Sequence, residues 1–359
     1  MQIIFIVPSI SDSHYRNRII EFIDKGYTVN VYGFKRKNSN KKPNLPYNIS
    51  ILGSISDKNY AQRIKLYIKK FRELGKRHNP QKDVFYLCGL DIAMFFHFFN
   101  PGFKYIYEEC DLTHTYTRLK GVLEYIDLKI IKSSILTILT SEGFVKYHFN
   151  GNKPHNVCLV ENKLNPTVLD YKVPPRKQFD KNTISIGFVG APRFDSIYNF
   201  IDVYCRTFPQ HVFHIFGGPV PTQFETLKKY KNCIFHGFFH NPDDLPEIYS
   251  KIDLVLSTYD TKYENVRFAE PNKIYECMYF ETPIIVSSHT FLAEKTNRLG
   301  IGYDIDAMDD NAIVSLINRV SEKELRRMTD NAYKINKKDL INNNMTLFEK
   351  LDSNLIMQL

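Results

Sequence analysis

The chain reads as an α/β protein made of two Rossmann-like, doubly wound parallel-sheet halves that face a cleft. Short β-rich runs alternate with helical stretches, and the alternation restarts after a polar passage marked by prolines. The length of 359 residues, with 43% hydrophobic and 14% aromatic content, suffices for two cores. In the first half the strands are expected at 3–7, 27–33, 83–87, 104–107, 136–140 and 157–160, separated by helical-period segments that serve as crossovers. The passage 161–183, with Asn165-Pro166 and Pro174-Pro175, reads as the connection between the halves. Beyond it, 184–189, 212–216, 233–236, 254–257 and 283–286 read as strands. The segments 197–205, 222–229, 245–250, 272–280 and 311–320 read as helices. Two last helical segments, 322–337 and 344–357, lack a strand partner. The division predicted is a first domain over 1–165, a second over 166–340 and a closing helical piece over 341–359.

No segment approaches the roughly 20 apolar residues that span a bilayer, and the apolar opening at 3–7 is too short, and lacks a basic leader, to act as a signal peptide. A cytoplasmic protein is expected. Cys88, Cys110, Cys158, Cys205, Cys233 and Cys277 are scattered without ligand spacing, so neither disulfides nor zinc are expected. The formal charge of +9 is uneven. Residues 1–165 hold 25 Lys/Arg against 14 Asp/Glu, a balance of +11, and 166–359 hold 23 against 25, a balance of −2. Its densest stretch is 63–77, RIKLYIKKFRELGKR, where Lys69, Lys70 and Arg72 interleave with apolar residues at helical spacing. A basic amphipathic helix suits the surface of an anionic membrane, at about 1 kcal/mol per basic residue near the lipid. A solvated helix whose stems cover its own core has the same letters. No nucleic-acid-binding motif accompanies the charge.

In open parallel sheets ligands bind beyond the carboxyl ends of the strands. The most informative such place is 270–287, EPNKIYECMYFETPIIVS. Pro271, Asn272 and Lys273 form a turn at a helix start, where backbone N–H groups, the helix dipole and the lysine charge attract an anion. Glu276 follows Lys273 on the same face and can accept two hydrogen bonds from the vicinal hydroxyls of a ribose. Phosphate beside ribose means a nucleotide, although a capped helix running into a core strand is also ordinary in α/β domains.

This segment resembles the donor-binding signature of retaining glycosyltransferases of the GT-B fold, in particular family 4 (glycosyl transferases group 1). Residues Glu281-Thr282-Pro283-Ile284-Ile285 stand where the family has a Gly-x-Pro-Val-Ile run. Glu276 matches the second of the family's two glutamates. The first falls on Phe268, and Glu270 or Glu264 is the neighbouring carboxylate that could replace it. The resemblance implies that the first domain takes the acceptor, that the second binds the nucleotide-sugar donor, and that the last helix packs back on the first. Gly190, in the turn Gly190-Ala191-Pro192-Arg193, would admit the diphosphate, and Arg193 would neutralise it. The family's following lysine is missing from 196–198, and Lys273 is the candidate to replace it. Gly217 and Gly237, after two further strands, would border the base, though glycines there are also common turn residues.

In the first domain, Glu109, Asp111 and His114 leave a strand together. They resemble the family's Asp-x-x-His neighbourhood facing the donor sugar, and the expectation is that His114 or Asp111 touches sugar or acceptor hydroxyls. A solvated acidic turn capping the next helix is the alternative. His14 and Arg16, after the first strand, could face an anionic group, or the same letters could be a helix start capped by Ser13. The implied reaction transfers a sugar from a nucleotide-diphosphate donor to a glycan or lipid-linked glycan with retention, in surface polysaccharide assembly, with no metal or other cofactor required. The lone Asp304-Ile305-Asp306 would suit a metal-dependent fold of another plan. Two readings stand beside the transferase: another GT-B enzyme such as a nucleotide-sugar epimerase or a phosphorylase, and a non-catalytic nucleotide- or glycan-binding relative.

Overall fold

The computed structural model describes residues 2–36, 45–56, 59–175, 179–180 and 182–356. The chain forms two compact units, Met1–Val160 with Asn344–Leu359, and Glu161–Asn343.

The first unit holds a seven-stranded parallel sheet of order β3-β2-β1-β4-β5-β6-β7. Its strands are β1 (Gln2–Val7), β2 (Thr28–Arg36), β3 (Ile49–Ile55), β4 (Asp83–Cys88), β5 (Lys104–Glu109), β6 (Leu136–Leu139) and β7 (Val157–Leu159). The crossovers include α1 (Ser13–Asp24), α2 (Tyr60–Arg77), α3 (Leu90–Phe99), α4 (Lys120–Ser133) and α5 (Glu142–Phe149). Central strands covered on both faces need no polar alternation, and β1, β4 and β5 are buried at five consecutive positions each. Phe5 of β1 stacks on Tyr86 of β4 at 4.3 Å and meets Phe22 of α1 edge-on at 5.3 Å. Strand β3 was not among the strands expected from the sequence, and its run ISILGSI carries Ser50, Gly53 and Ser54. At a sheet edge that composition is tolerated. Helix α1 is capped by Asp12 rather than by Ser13: the Asp12 backbone is extended, and its carboxylate accepts from the His14 N–H at 2.9 Å.

The second unit holds a six-stranded parallel sheet of order β10-β9-β8-β11-β12-β13. Its strands are β8 (Ser185–Val189), β9 (Val212–Phe216), β10 (Cys233–Gly237), β11 (Leu254–Ser257), β12 (Ile284–Ser287) and β13 (Gly302–Ile305). Its helices are α6 (Asp195–Thr207), α7 (Leu245–Ser250), α8 (Glu264–Phe268), α9 (Lys273–Tyr279), α10 (Phe291–Leu299), α11 (Asp310–Arg319) and α12 (Glu322–Tyr333). The segment Thr222–Lys229, expected as α-helix, is a 3₁₀ helix. Side chains of period two feed two cores. Leu254, Leu256 and Ile285 face the layer with α6 and α11, while Val255, Ile284 and Val286 face the layer with α7 and α9. Strand β13 requires Gly302, since a Cβ there would lie 2.0 Å from the Ile284 carbonyl oxygen.

The passage after residue 160 is no slack linker. The Leu164 N–H donates to the Leu340 carbonyl at 3.0 Å, the Asn342 N–H donates back to Leu164 at 2.9 Å, and Leu164 and Val168 are buried in the second unit's core. The chain then returns to the first unit as α13 (Met345–Ile356). There Leu347, Phe348 and Leu351 join the core, with Phe348 5.1 Å from Phe22. The Asn354 side chain donates to the Ile135 carbonyl at 2.7 Å.

Candidate active site

In the second unit the strand order reverses between β8 and β11, which places a crevice at their carboxyl ends. Three of the expected glycines meet there in series. The Gly190 N–H donates to the Phe216 carbonyl at 2.7 Å, and the Gly217 N–H donates to the Gly237 carbonyl at 2.6 Å. Gly217 has φ 114°, and a Cβ on it would lie 2.4 Å from the Gly190 carbonyl oxygen, so only glycine lets these two turns touch. Arg193 follows on the exposed rim, its guanidinium 5.9 Å from the Phe194 ring, which in turn packs edge-on against Tyr259 at 5.2 Å.

Across the crevice the chain leaves β11 through Thr258-Tyr259-Asp260. The Tyr259 N–H donates to Ser287 Oγ at 2.7 Å, and Asp260 accepts from the Ser196 N–H at 2.9 Å, tying the end of β11 to β12 and to the first turn of α6. Burial pushes the Tyr259 phenol above its usual range, while Ser257, Lys273 and Arg193 pull it down, so both cations act on this one side chain. The hydroxyls of Ser196 and Thr258 are buried and make no hydrogen bond of normal geometry among the described residues. Sequence reasoning missed these residues. The hydroxyl-rich run Ser257-Thr258-Tyr259 directly after a strand was the available signal.

Helix α9 starts at Lys273 and has only seven residues, and Asn272 before it makes no side-chain cap. Two turns carry little macrodipole, so the expected pull on an anion falls to the Lys273 charge. That charge is already engaged: Lys273 Nζ lies 2.9 and 2.7 Å from the two oxygens of Glu276. Glu276 is fully buried and also accepts from Tyr249 Oη at 2.8 Å and from Asn272 Nδ2 at 3.3 Å. Pro271 is half-buried ahead of them. Glu270, the carboxylate neighbouring Phe268, is engaged inside the second unit. Its side chain is shut from solvent, paired with Lys295 Nζ at 2.6 Å and with the Tyr275 hydroxyl. Lys295 also meets Glu161 at 3.0 Å, which makes this an internal network. Asp304 accepts from Asn297 at 2.9 Å and Asp306 from the Met308 N–H at 3.0 Å, so each has a local partner.

In the first unit, the end of β5 sends Glu108 and Glu109 to opposite faces of the sheet. Glu108 lies 3.0 Å from His14 Nε2 and accepts from Arg18 at 3.2 Å and Tyr86 Oη at 2.6 Å. Burial pushes its carboxyl up, but Arg18 and His14 outweigh that and hold it at about 2. His14, whose side chain is 32% exposed, is drawn down by burial and raised further by Cys110 and Glu108, ending well above the ordinary histidine range. Arg16 is half-buried and acts on the Tyr47 phenol, and Arg18, which the sequence did not single out, is buried.

Glu109 and His114 do come together, but in the interior, with Asp127 of α4 and His148 of α5. All four side chains have at most 1% exposure. Glu109 and His114 are both spent on partners inside the first unit, Asp127 and His148, in place of the substrate contact expected of them; Asp111 alone of that trio is exposed. Lys69 and Arg72 of α2 are exposed, and Lys70 pairs with Glu73 at 2.8 Å. The apolar face of α2 is committed to the core through Tyr67, Phe71 and Leu74, so it is not a membrane-inserting face.

Two open α/β sheets with a phosphate-suited glycine turn at the second sheet's switch point define the GT-B class. Residues 183–322 match the family described as "Glycosyl transferases group 1". The chain is 23% identical over 344 residues to the "Succinoglycan biosynthesis protein ExoL" of Rhizobium meliloti (strain 1021), covering 88% of this chain and 84% of that protein. Sucrose-phosphate synthase from Thermosynechococcus elongatus superposes with a TM-score of 0.72 at 13% identity, covering 100% of both chains. Anabaena HepE in complex with UDP superposes with a TM-score of 0.68 at 13% identity, covering 98% of this chain and 100% of that one. The chain has the GT-B fold, and its second unit is similar to glycosyl transferases group 1.

Proposed function

We propose that the chain transfers a sugar from a nucleotide-diphosphate donor to a glycan or lipid-linked glycan, with retention of anomeric configuration, in polysaccharide assembly. The observation that carries this is the convergence of the Gly190 and Gly217 turns, Arg193, Lys273 and Glu276 around one strand switch point. In this reading Gly190 admits the diphosphate, and Arg193 and Lys273 stabilise it as it departs. Glu276 takes the ribose hydroxyls, and the turns at Gly217 and Gly237 border the base. Pro271 and Asn272 shape the approach. The donor step uses protein cations and no metal. HepE has been solved with UDP, and ExoL by its name serves succinoglycan synthesis, which supports a uridine donor and a polysaccharide product here.

On the acceptor side His14, kept cationic beside Glu108, together with Arg16 suits a phosphate-bearing acceptor. Contact with an anionic membrane belongs to the same reading. It is supported by the exposed basic residues of α2 and by Tyr116, Leu119, Val122 and Tyr125, which leave 51–71% of their surface open at three-residue spacing on and before α4. No described helix is long and apolar enough to cross a bilayer.

Thermal melting against UDP, GDP, CDP, ADP and dTDP, each with and without Mg²⁺, tests the donor assignment. A ligand at 100 times its Kd adds about 2.7 kcal/mol. Response to one nucleotide independent of Mg²⁺ supports the reading, and a flat panel overturns it. A nucleotide-binding relative without transfer is favoured by one observation, the buried Glu270 beside Phe268; binding without turnover of any nucleotide sugar would decide for it.

A further inference from the structure

The donor site leaves unused the cluster that β5, α4 and α5 enclose in the first unit. We propose that Glu109, His114 and Asp127 hold one divalent transition-metal cation, zinc foremost, in a buried three-ligand site. Their ligand atoms all lie within 4.8 Å of one another, and His114 Nδ1 is 3.3 Å from Asp127 Oδ2. Zinc bonds of about 2.0–2.2 Å to nitrogen and oxygen place neighbouring tetrahedral donors roughly 3.3 Å apart.

The orientation of the donors matters more than their proximity. His114 Nδ1, Glu109 Oε1 and both Asp127 oxygens are buried without a hydrogen bond of normal geometry among the described residues, and their near neighbours are one another and the Tyr107 phenol. Unsatisfied polar atoms in a closed interior are costly, and here several point at one place. The far sides of two of the three ligands are held. His114 Nε2 lies 3.3 Å from Tyr147 Oη, and Glu109 Oε2 lies 2.8 Å from His148 Nε2. Ligating histidines and carboxylates are oriented in this way by an outer shell.

Two buried carboxylates beside an imidazole nitrogen form a donor set that a divalent cation can neutralise. Nitrogen and oxygen donors with no thiolate suit zinc, manganese or iron, and three protein ligands leave one of four zinc positions to a small ligand such as water. The spacing of the ligands, five and then thirteen residues apart, matches no sequence motif.

The test is direct titration of the untagged, chelator-stripped full chain with Zn²⁺, followed by metal analysis after desalting, by thermal melting, and by Co²⁺ absorption. One equivalent retained per chain, a raised melting temperature and a four-coordinate cobalt spectrum are expected. His114→Gln and Asp127→Asn should abolish retention, and the milder Tyr147→Phe should weaken it about tenfold through the outer shell. A wild-type chain that neither retains metal nor melts higher with it overturns the proposal, as does undiminished binding by folded Asp127→Asn; the cluster is then a proton-sharing carboxyl pair. None of these readouts involves a nucleotide, so the result stands apart from the donor assignment.

Discussion

Glu276 carries two functions in its one carboxylate, and they can be separated. It neutralises Lys273, which is only 12% exposed, and in the proposed reaction it takes the ribose hydroxyls. Hydrogen bonds to a charged group contribute about 1.5–3 kcal/mol, so Glu276→Gln should weaken nucleotide binding by about 10- to 100-fold, measured by calorimetry. Unchanged affinity would remove the ribose assignment. Glu108 behaves differently, because its work is internal. Its folded value of about 2 lies below the ordinary 4.5, so its contribution to stability is present above pH 4.5 and is lost as the pH falls toward 2. Glu108→Gln leaves the buried Arg18 short of its main counter-charge and should cost about 3 kcal/mol at pH 7. Denaturant melts should show that gap narrowing between pH 4.5 and 2; a gap constant with pH would contradict the ion-pair account. The sequence announced Glu109, Asp111 and His114 as a cluster of charge at a strand end. Which way each side chain faces could not be read there, because it depends on helices that arrive later in the chain with Asp127 and His148.

At the level of elements, legibility followed burial. Strands β1, β4 and β11 are continuous apolar runs and stand out in any window. Strands β3 and β13 lie at sheet edges, where Ser and Gly are tolerated, and their composition hides them. Helix α10 was not anticipated although its cap was visible in the letters: Thr290 accepts from the Ala293 N–H at 3.0 Å. The amphipathic pattern of α2 was read correctly as a pattern, but periodicity alone does not say whether an apolar face meets lipid or the protein's own sheet. Here it meets the sheet, with Tyr67 stacked on Phe71 at 5.2 Å. In the proposed reading, membrane contact through α2 is therefore electrostatic, and Lys69→Glu, Lys70→Glu and Arg72→Glu together should abolish sedimentation with anionic vesicles at low salt. Raising wild-type samples to 1 M salt, where the screening length is about 3 Å, should have the same effect. Sedimentation that survives both would shift the contact to the apolar residues at 116–125.

For the whole molecule the consequential feature is that the first unit is built from two distant pieces of chain. Its core is completed by α13, which follows the entire second unit. Leu347, Phe348 and Leu351 are nearly or fully buried against α1 and the first sheet. Burying a large apolar side chain contributes about 1.5–3 kcal/mol, so the three together are worth roughly 5–8 kcal/mol. That is comparable with the whole stability of an ordinary domain, about 5–15 kcal/mol. Asn354 and Lys350 add hydrogen bonds to the Ile135 and Val157 carbonyls. Deleting 344–359 should therefore unfold the first unit and leave the second intact, since the latter keeps its Leu164–Ile341 bridge and both of its cores. Hydrogen exchange of the truncated chain is the measurement. Amides of β1, β4 and β5 should lose protection, whereas those of β8, β11 and β12 should keep it and gain more with whichever nucleotide stabilises the full chain. Protection retained in β1 would mean that α13 only decorates a core already closed. Protection lost in both units would mean that the second does not hold its fold without the first.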